Sequence, residues 1–424
     1  VRVERELHKR LMPLSEKERR VWLLDYKINQ KGIAIDRPSV EAAITMAEEL
    51  KARYDAEMKQ LTGGAVETCN ALLALKDWLQ GQLPDPVGSL AKPALTELLA
   101  REDLPEKVRR ALELRQMAAK ASTAKLTPML NIAGPDDRLR NLFQYHGAAT
   151  GRWAGRKVQP HNLPRDVPKN EVVEEILSYI RAGDYDAIEK AHGNPVSMLS
   201  KCIRGLFVPA PGKVLVGGDY SAIEGRGGAW FCGEEWKLNA FRDYDAGQGP
   251  GSYELTAARI LHVPVETIKD PSFERQAYGK VPELFLLYQG GVGAFQQGAR
   301  TYGVTIEDAK AEEIKVEWRA LHPRVRATWY ALQDAAISAV QRPGEEFSAG
   351  FHGRGVKFKK VGSFLWCLLP SGRALCYPYP KLLPGNYGEQ LTYMTVPSPD
   401  DKKKGKIIAD PANSSNWARV GTYG

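Results

Sequence analysis

The sequence predicts an α+β fold, helical at its start, mixed in its middle and strand-rich at its end. Three observations carry that expectation. Apolar residues recur at helical spacing through SEKERRVWLLDYKINQKGIAID and AAITMAEELKARYDAEMKQL. Helical patterning returns from Glu234 to Val340, with loops at GQGPGS and HVPVETIKDPS. From Phe347 onward VKFKKV, SFLWCLL, ALCYPYP and LTYMTV alternate or run apolar, and LPSGR forms a tight turn between two of them, as in an antiparallel sheet.

Taken in order, the stretch from about Glu4 to Gly63 reads as two long antiparallel helices with a break at Gly32. Short helices punctuated by Pro84, Pro86 and Pro93 follow, then the basic helix PEKVRRALELRQMAAKASTAKLTPML. That helix fits either the solvated face of a bundle or a nucleic-acid clamp. Between Arg138 and Arg165, Gly, Arg, Asn and Pro make a poor helix but an irregular surface rich in backbone and guanidinium donors, suited to gripping phosphates. The helix EVVEEILSYIRA leads into VLVGGDYSAIEGRGGAW, Val214 to Trp230. There an apolar strand is expected to end on Asp219, exposing a carboxylate fit for a metal, before a helix that carries Glu224. Ser221 to Glu224 also has the S-x-x-E pattern of a helix-opening capping box.

Composition narrows the function classes without choosing one. The 424 residues are ample for more than one ordinary domain, and Lys plus Arg exceed Asp plus Glu by 59 to 51, which suits a polyanionic partner. Cys69, Cys202, Cys232, Cys367 and Cys376 form no Cys-x-x-Cys pair, so neither a disulfide framework nor a zinc site is expected. No apolar run approaches the ~20 residues that cross a bilayer, and VRVERELHKR is not a signal peptide, so a soluble cytoplasmic protein is expected.

Asp219, Tyr220, Ser221, Ile223, Glu224 and Arg226 together resemble the first metal-binding motif of family A DNA polymerases, the polymerase I class. Ile28 to Asp36 and Leu112 to Lys125 resemble the thumb of the phage-type branch of that family. Thr150, Gly151 and Arg152, with Gln159, Asn162, Leu163, Pro164 and Arg165, are similar to its primer-template contact elements, although His161 stands where the phage-type pattern more often has glutamine. The resemblance implies a right-hand architecture: thumb at 1–130, first part of the palm at 131–235, fingers at 236–345 and second part of the palm at 346–424. It implies template-directed DNA synthesis on primer-template DNA with deoxynucleoside triphosphates, inside a bacterial or phage-infected cell. It also implies two Mg2+ ions about 3.5 to 4 Å apart, one of them on Asp219 and the Tyr220 carbonyl. Glu224 would lie under the sugar of the incoming nucleotide, and Lys125, Arg226 and Arg373 would join the DNA contacts.

The stretch FERQAYGKVPELFLLYQGGVGAF resembles the family's nucleotide-binding helix, with Lys280, Leu284 and Tyr288 on one face at i, i+4 and i+8. Lysine there reaches phosphates, while Leu284 replaces an aromatic residue of the bacterial enzymes. Arg275 lies five residues before the lysine rather than the family's four, which in an unbroken α-helix turns it about 100° away. Pro282 cannot donate to the carbonyl of Tyr278, so a kink or a π-bulge near Ala277 to Gly279 is predicted, absorbing the extra residue and returning Arg275 to the phosphate side.

The family's second metal-binding aspartate lies in a His-Asp-Glu turn that does not occur in this chain. The C-terminal part of the palm is therefore expected to be absent, and catalysis to need a second polypeptide or segment that supplies the missing carboxylate. No proofreading carboxylates precede the thumb-like block. A non-catalytic primer-template-binding subunit is the alternative. Asp400 and Asp401, in the charged run DDKKKGK, are not expected to bind metal.

Overall fold

The computed structural model describes residues 2–11, 13–118, 123–148, 150–164, 166–351, 353–385, 388–397, 406–414 and 416–422. The chain divides into two compact units, Val1–Gly217 and Gly218–Gly424. The division falls inside the segment 131–235.

In the first unit, helices Arg37–Leu61, Glu106–Ala118, Leu126–Ile132, Asn170–Ala182 and Pro195–Cys202 enclose a core that includes Met46, Met58, Leu112, Met129, Ile176 and Leu199. Each such side chain contributes about 1.5 to 3 kcal/mol through its burial. Three helices, not two, open the chain: Arg2–Arg10 precedes the expected pair, and that pair is not simply joined by a break. Between Glu16–Lys31 and Arg37–Leu61 lies the strand Ile33–Ile35, the centre of a three-stranded antiparallel sheet with Arg138–Leu139 and Phe207–Val208. Gly32 makes the turn with φ of 62°, and a Cβ there would meet the Leu139 carbonyl oxygen at 2.3 Å, so only glycine fits.

The helix Glu16–Lys31 reverses the usual rule. It exposes Trp22, Leu23, Leu24, Tyr26 and Ile28 while burying Asp25 and Asn29. Both polar side chains are satisfied: Trp153 Nε1 donates to Asp25 Oδ1 at 2.6 Å, and Asn29 both donates to and accepts from the Phe143 backbone at 3.0 Å. The 3.6-residue period marked the helix correctly but not the side that is covered.

The second unit begins with helices Ile223–Cys232, Glu235–Asp245 and Ser252–Leu261, the π-helical turn Arg275–Lys280, and helices Val281–Leu286, Val292–Thr301, Asp308–Leu321 and Pro323–Gln341. Strands Glu346–Ala349, Val356–Val361, Phe364–Leu368 and Ala374–Pro378 follow as an antiparallel meander. Val356, Phe358, Leu365 and Cys367 face inward onto Ala335, Ala336 and Ala339 of the last helix, while Lys357, Lys359, Phe364 and Trp366 alternate outward. A second four-stranded sheet is built from Lys381–Gly385, Gly388–Thr395, Ala418–Gly421 and Ile407–Ile408.

The antiparallel, strand-rich end is as expected. Among the described residues, the strands of 131–235 pair with Ile33–Ile35 or with each other, and those after 346 form two sheets of their own. Alternation fixes which face of a strand is buried but does not choose its hydrogen-bonding neighbour.

Candidate functional site

Asp219 is exposed and has no hydrogen-bond partner among the described residues. The strand expected to carry it is not formed. Residues 213–220 have no regular secondary structure, and Val214 and Val216 are 79% and 91% exposed. An apolar run becomes a strand only where another strand supplies its ladder, and no described residue does so here. The capping box is absent as well. The residue preceding the helix Ile223–Cys232 is Ala222, in a left-handed conformation with φ of 50°, and no side chain caps that end. With Ser221 one residue too early, Glu224 is free to face another element, and its Oε2 accepts a hydrogen bond from the Tyr288 hydroxyl at 3.4 Å.

The predicted π-bulge is present as the turn Arg275–Lys280, in which the N–H of Val281 bonds the carbonyl of Gln276, five residues back. Pro282 follows at the start of the next helix. Gly279 lets this turn sit against the helix Ser252–Leu261, since a Cβ would meet the Tyr253 carbonyl oxygen at 2.2 Å. After the turn, Lys280 and Leu284 are half-buried and Tyr288 is exposed, whereas Val281, Pro282, Glu283, Leu286 and Leu287 are buried. Lys280, Leu284 and Tyr288 thus share the outer side. The Lys280 ammonium lies 4.9 Å over the Tyr302 ring and has no carboxylate partner among the described residues.

Arg275 is placed differently. Its Nε donates to Glu254, its Nη2 lies 3.3 Å from Asp270, and its guanidinium sits 5.3 Å from the Tyr253 ring centre. With Ser221, Ala222, Arg226, Glu254 and Asp270 it lines a polar cavity of 80 Å³, which brings the segment after Asp219 beside the π turn. Arg226 is also committed: it makes paired 2.7 Å bonds to Asp245 and donates to the Ser221 carbonyl at 2.8 Å. That guanidinium holds the Asp245 carboxyl below the ordinary range. The glycine-rich segment VGGDYSAIEG of this site is therefore braced from its helical side by Arg226.

Oxygen donors of the kind magnesium takes are present at Asp219 and the Tyr220 carbonyl. They fit in kind but not in number, because no group of three or more His, Cys, Asp or Glu able to hold a metal occurs among the described residues.

In the first unit, Lys125 Nζ donates to the Gln159 carbonyl at 3.2 Å and Asn162 Nδ2 to Gln159 Oε1 at 2.9 Å, so three of the predicted nucleic-acid contacts converge. Partial burial pushes the Lys125 pKa down. Arg152 and Arg156 are exposed nearby in sequence, with Arg156 donating to Gln144. Arg165, Asp400 and Asp401 lie outside the described residues. Arg373 is half-buried at the turn that closes on the Leu369 N–H to Arg373 carbonyl bond of 2.8 Å.

Motif reading passed over Glu254 and Asp270, which hold Arg275, and a buried group formed by Lys237, Glu283 and His322. The one signal for the latter was a carboxylate set among the apolar residues of VPELFLL.

No protein-family profile matches the chain. Over an alignment of 431 residues it is 38% identical to the DNA polymerase of Bacillus phage SP02, covering 100% of this chain and 61% of that protein. The chain is thus shorter than two thirds of the relative it matches. Its fold is similar to the POL domain of Pol1 from M. smegmatis, a structure containing DNA primer-template and dNTP, with a TM-score of 0.51 and 18% identity over 74% of this chain and 48% of that one.

Proposed function

Starting from 38% identity, along the whole of this chain, to part of a phage DNA polymerase, we propose that this chain performs template-directed DNA synthesis, transferring a deoxynucleotide from its triphosphate to a primer 3′-hydroxyl. The observation that carries the reading is the bond between Tyr288 and Glu224, which joins two motifs 64 residues apart at one place. Lys280, free of any described carboxylate, receives the triphosphate, and Tyr288 packs beside the base or template. Glu224 lies under the sugar and disfavours a 2′-hydroxyl. Lys125, Arg152, Gln159 and Asn162 hold the DNA backbone, joined by Arg165 and by Arg373 on the duplex. On this reading 1–130 is the thumb, 131–235 and 346–424 the palm, and 236–345 the fingers.

Two commitments in the site bear on roles. Arg226 acts on DNA only by way of the loop it braces, or after leaving Asp245. Arg275 serves the triphosphate only after leaving Glu254 and Asp270. Magnesium, held by Asp219 and the Tyr220 carbonyl, would supply charge compensation for the phosphates and acidify the primer hydroxyl. On this reading the second carboxylate that two ions require arrives from another polypeptide or segment. No described helix is long and apolar enough to cross a membrane. The interior of a phage-infected bacterial cell is the proposed place of action.

The test is primer extension with magnesium, using the chain alone and the chain mixed with the remaining segment of the matching phage enzyme. Extension by the mixture supports the polymerase reading. Tight primer-template binding with no extension in either mixture favours the non-catalytic subunit. Binding should weaken with salt at a log-log slope of about −0.9 per phosphate contacted, and Lys125→Ala should lower the slope by about one. A flat salt response would exclude both readings.

A further inference from the structure

Glu283 follows Lys280 by three residues and precedes Tyr288 by five, yet it turns inward where they turn outward. It is 3% exposed, and its partners come from three other helices. Lys237 of the helix Glu235–Asp245 donates to Oε2. Thr256 of the helix Ser252–Leu261 donates to Oε1 at 3.1 Å, and Trp318 Nε1 of the helix Asp308–Leu321 donates to the same oxygen at 3.2 Å. His322, fully buried, completes the group. Its Nδ1 lies 2.8 Å from the Trp318 carbonyl oxygen, and its Nε2 lies 3.0 Å from Lys237 Nζ and 3.4 Å from Glu283 Oε1. Its ring stacks on Trp318 with centroids 4.0 Å apart.

Such an arrangement is demanding. Burial pushes the Glu283 carboxyl toward protonation, but the Lys237 charge and the hydrogen bonds around it outweigh that and hold it well below the usual carboxylate range. A buried charge keeps its partners only in a narrow geometry, because any rotation of its helix leaves several polar groups unpaired together. Ordinary apolar packing of Val281, Leu286 and Leu287 would tolerate a small roll of the helix Val281–Leu286; the ion group does not. The short helix also starts directly after a π turn, whose hydrogen bonds give it a looser anchor at that end.

We propose that Glu283 is a positioning residue for nucleotide binding, its carboxylate fixing the rotation of the helix that presents Lys280 and Tyr288 to the incoming triphosphate. The claim rests on the polymerase reading and deepens it by naming what orients the nucleotide-binding face. Lys237 is the counter-charge, and Thr256, Trp318 and His322 set the direction from which it is met.

The experiment compares the parent chain with Glu283→Gln and Thr256→Val, the second a mild variant that removes one hydrogen bond and keeps the ion pair. Three quantities are measured: binding of fluorescent primer-template, binding of the next complementary dNTP to that complex, and hydrogen exchange of the amides of Val281 and of residues 283–286. Both variants should bind primer-template within about twofold of the parent. Glu283→Gln should weaken dNTP binding about tenfold and speed exchange at these amides by a similar factor, and Thr256→Val should move both two- to threefold in the same direction. If exchange quickens while dNTP affinity stays within twofold of the parent, the group only supports the fold and the proposal is overturned. Unchanged exchange in both variants overturns it too. A parent chain that binds primer-template but no dNTP sinks the polymerase reading and this proposal together, an outcome distinct from a failure confined to the variants.

Discussion

Asp219 and Glu283 are carboxylates of the same compact unit that live in opposite surroundings. One is exposed with no described partner; the other is buried with donors from three helices. An exposed acid costs the fold nothing and gives it nothing, so its identity is left to chemistry. A buried acid costs several kcal/mol unless every lone pair is met, so its identity is dictated by neighbours. The segment from Lys280 to Tyr288 spans both regimes within nine residues: Lys280 and Tyr288 lie on the open side and Glu283 on the closed side.

The sharpest way to break this contrast is at its open end. Asp219→Ala should reduce nucleotide incorporation, in whichever of the two primer-extension mixtures supports it, at least about 10²- to 10³-fold, the loss of several kcal/mol of charge stabilisation at the reacting phosphate. Its melting temperature should stay within about 2 °C of the parent, as expected for a surface change of under about 0.5 kcal/mol. A large drop in melting temperature would mean that Asp219 has a structural role after all. Next in size, Lys280→Ala should weaken dNTP binding about 10- to 100-fold, the worth of one charge-assisted contact, while primer-template affinity is unchanged in a fluorescence titration. If Lys280→Ala leaves nucleotide binding intact, the open side is not the phosphate side.

The smallest effect sharpens the comparison through thiols. Burial pushes the Cys69 thiol up to about 12 and those of Cys202 and Cys367 up to about 11. A raised pKa keeps the thiol protonated until the pH approaches that value, so at pH 8 these three hold almost no thiolate, and all three are buried. Cys376 is the exposed cysteine. Mass-resolved maleimide labelling of the native chain should modify Cys376 first with little change in activity, and the buried thiols only on unfolding. Early labelling of Cys69 would mean that the helical core of the first unit opens more readily than its packing implies.

Much of this was legible before any coordinates, and the reasons are local. The π turn follows from a missing N–H at Pro282, readable locally, and from a spacing between Arg275 and Lys280 one residue longer than the resemblance implies. The outward face of Lys280, Leu284 and Tyr288 follows from helical spacing. What failed needed a partner remote in sequence. Val214 to Val216 looked like a strand, but a ladder takes a second chain segment. Ser221 looked like a cap, but a left-handed Ala222 moved the helix start past it. The apolar stripe of Glu16–Lys31 looked like the buried side, but Trp153 and Phe143 supplied better partners for Asp25 and Asn29. Arg275 and Arg226 were singled out by the resemblance, and Glu254, Asp270 and Asp245 claim them from elsewhere in the chain.

By itself, the sequence determined which residue types stand at which spacing: most helices, the strands after 346, the π turn, and the acid, lysine and tyrosine proposed to carry the chemistry. Tertiary structure alone decided which of the charges are spent on other charges and which remain open to a substrate. The physical reason is range. Backbone geometry and periodicity act over a few residues, whereas satisfying a buried or paired charge depends on groups that only folding brings within about 3 Å.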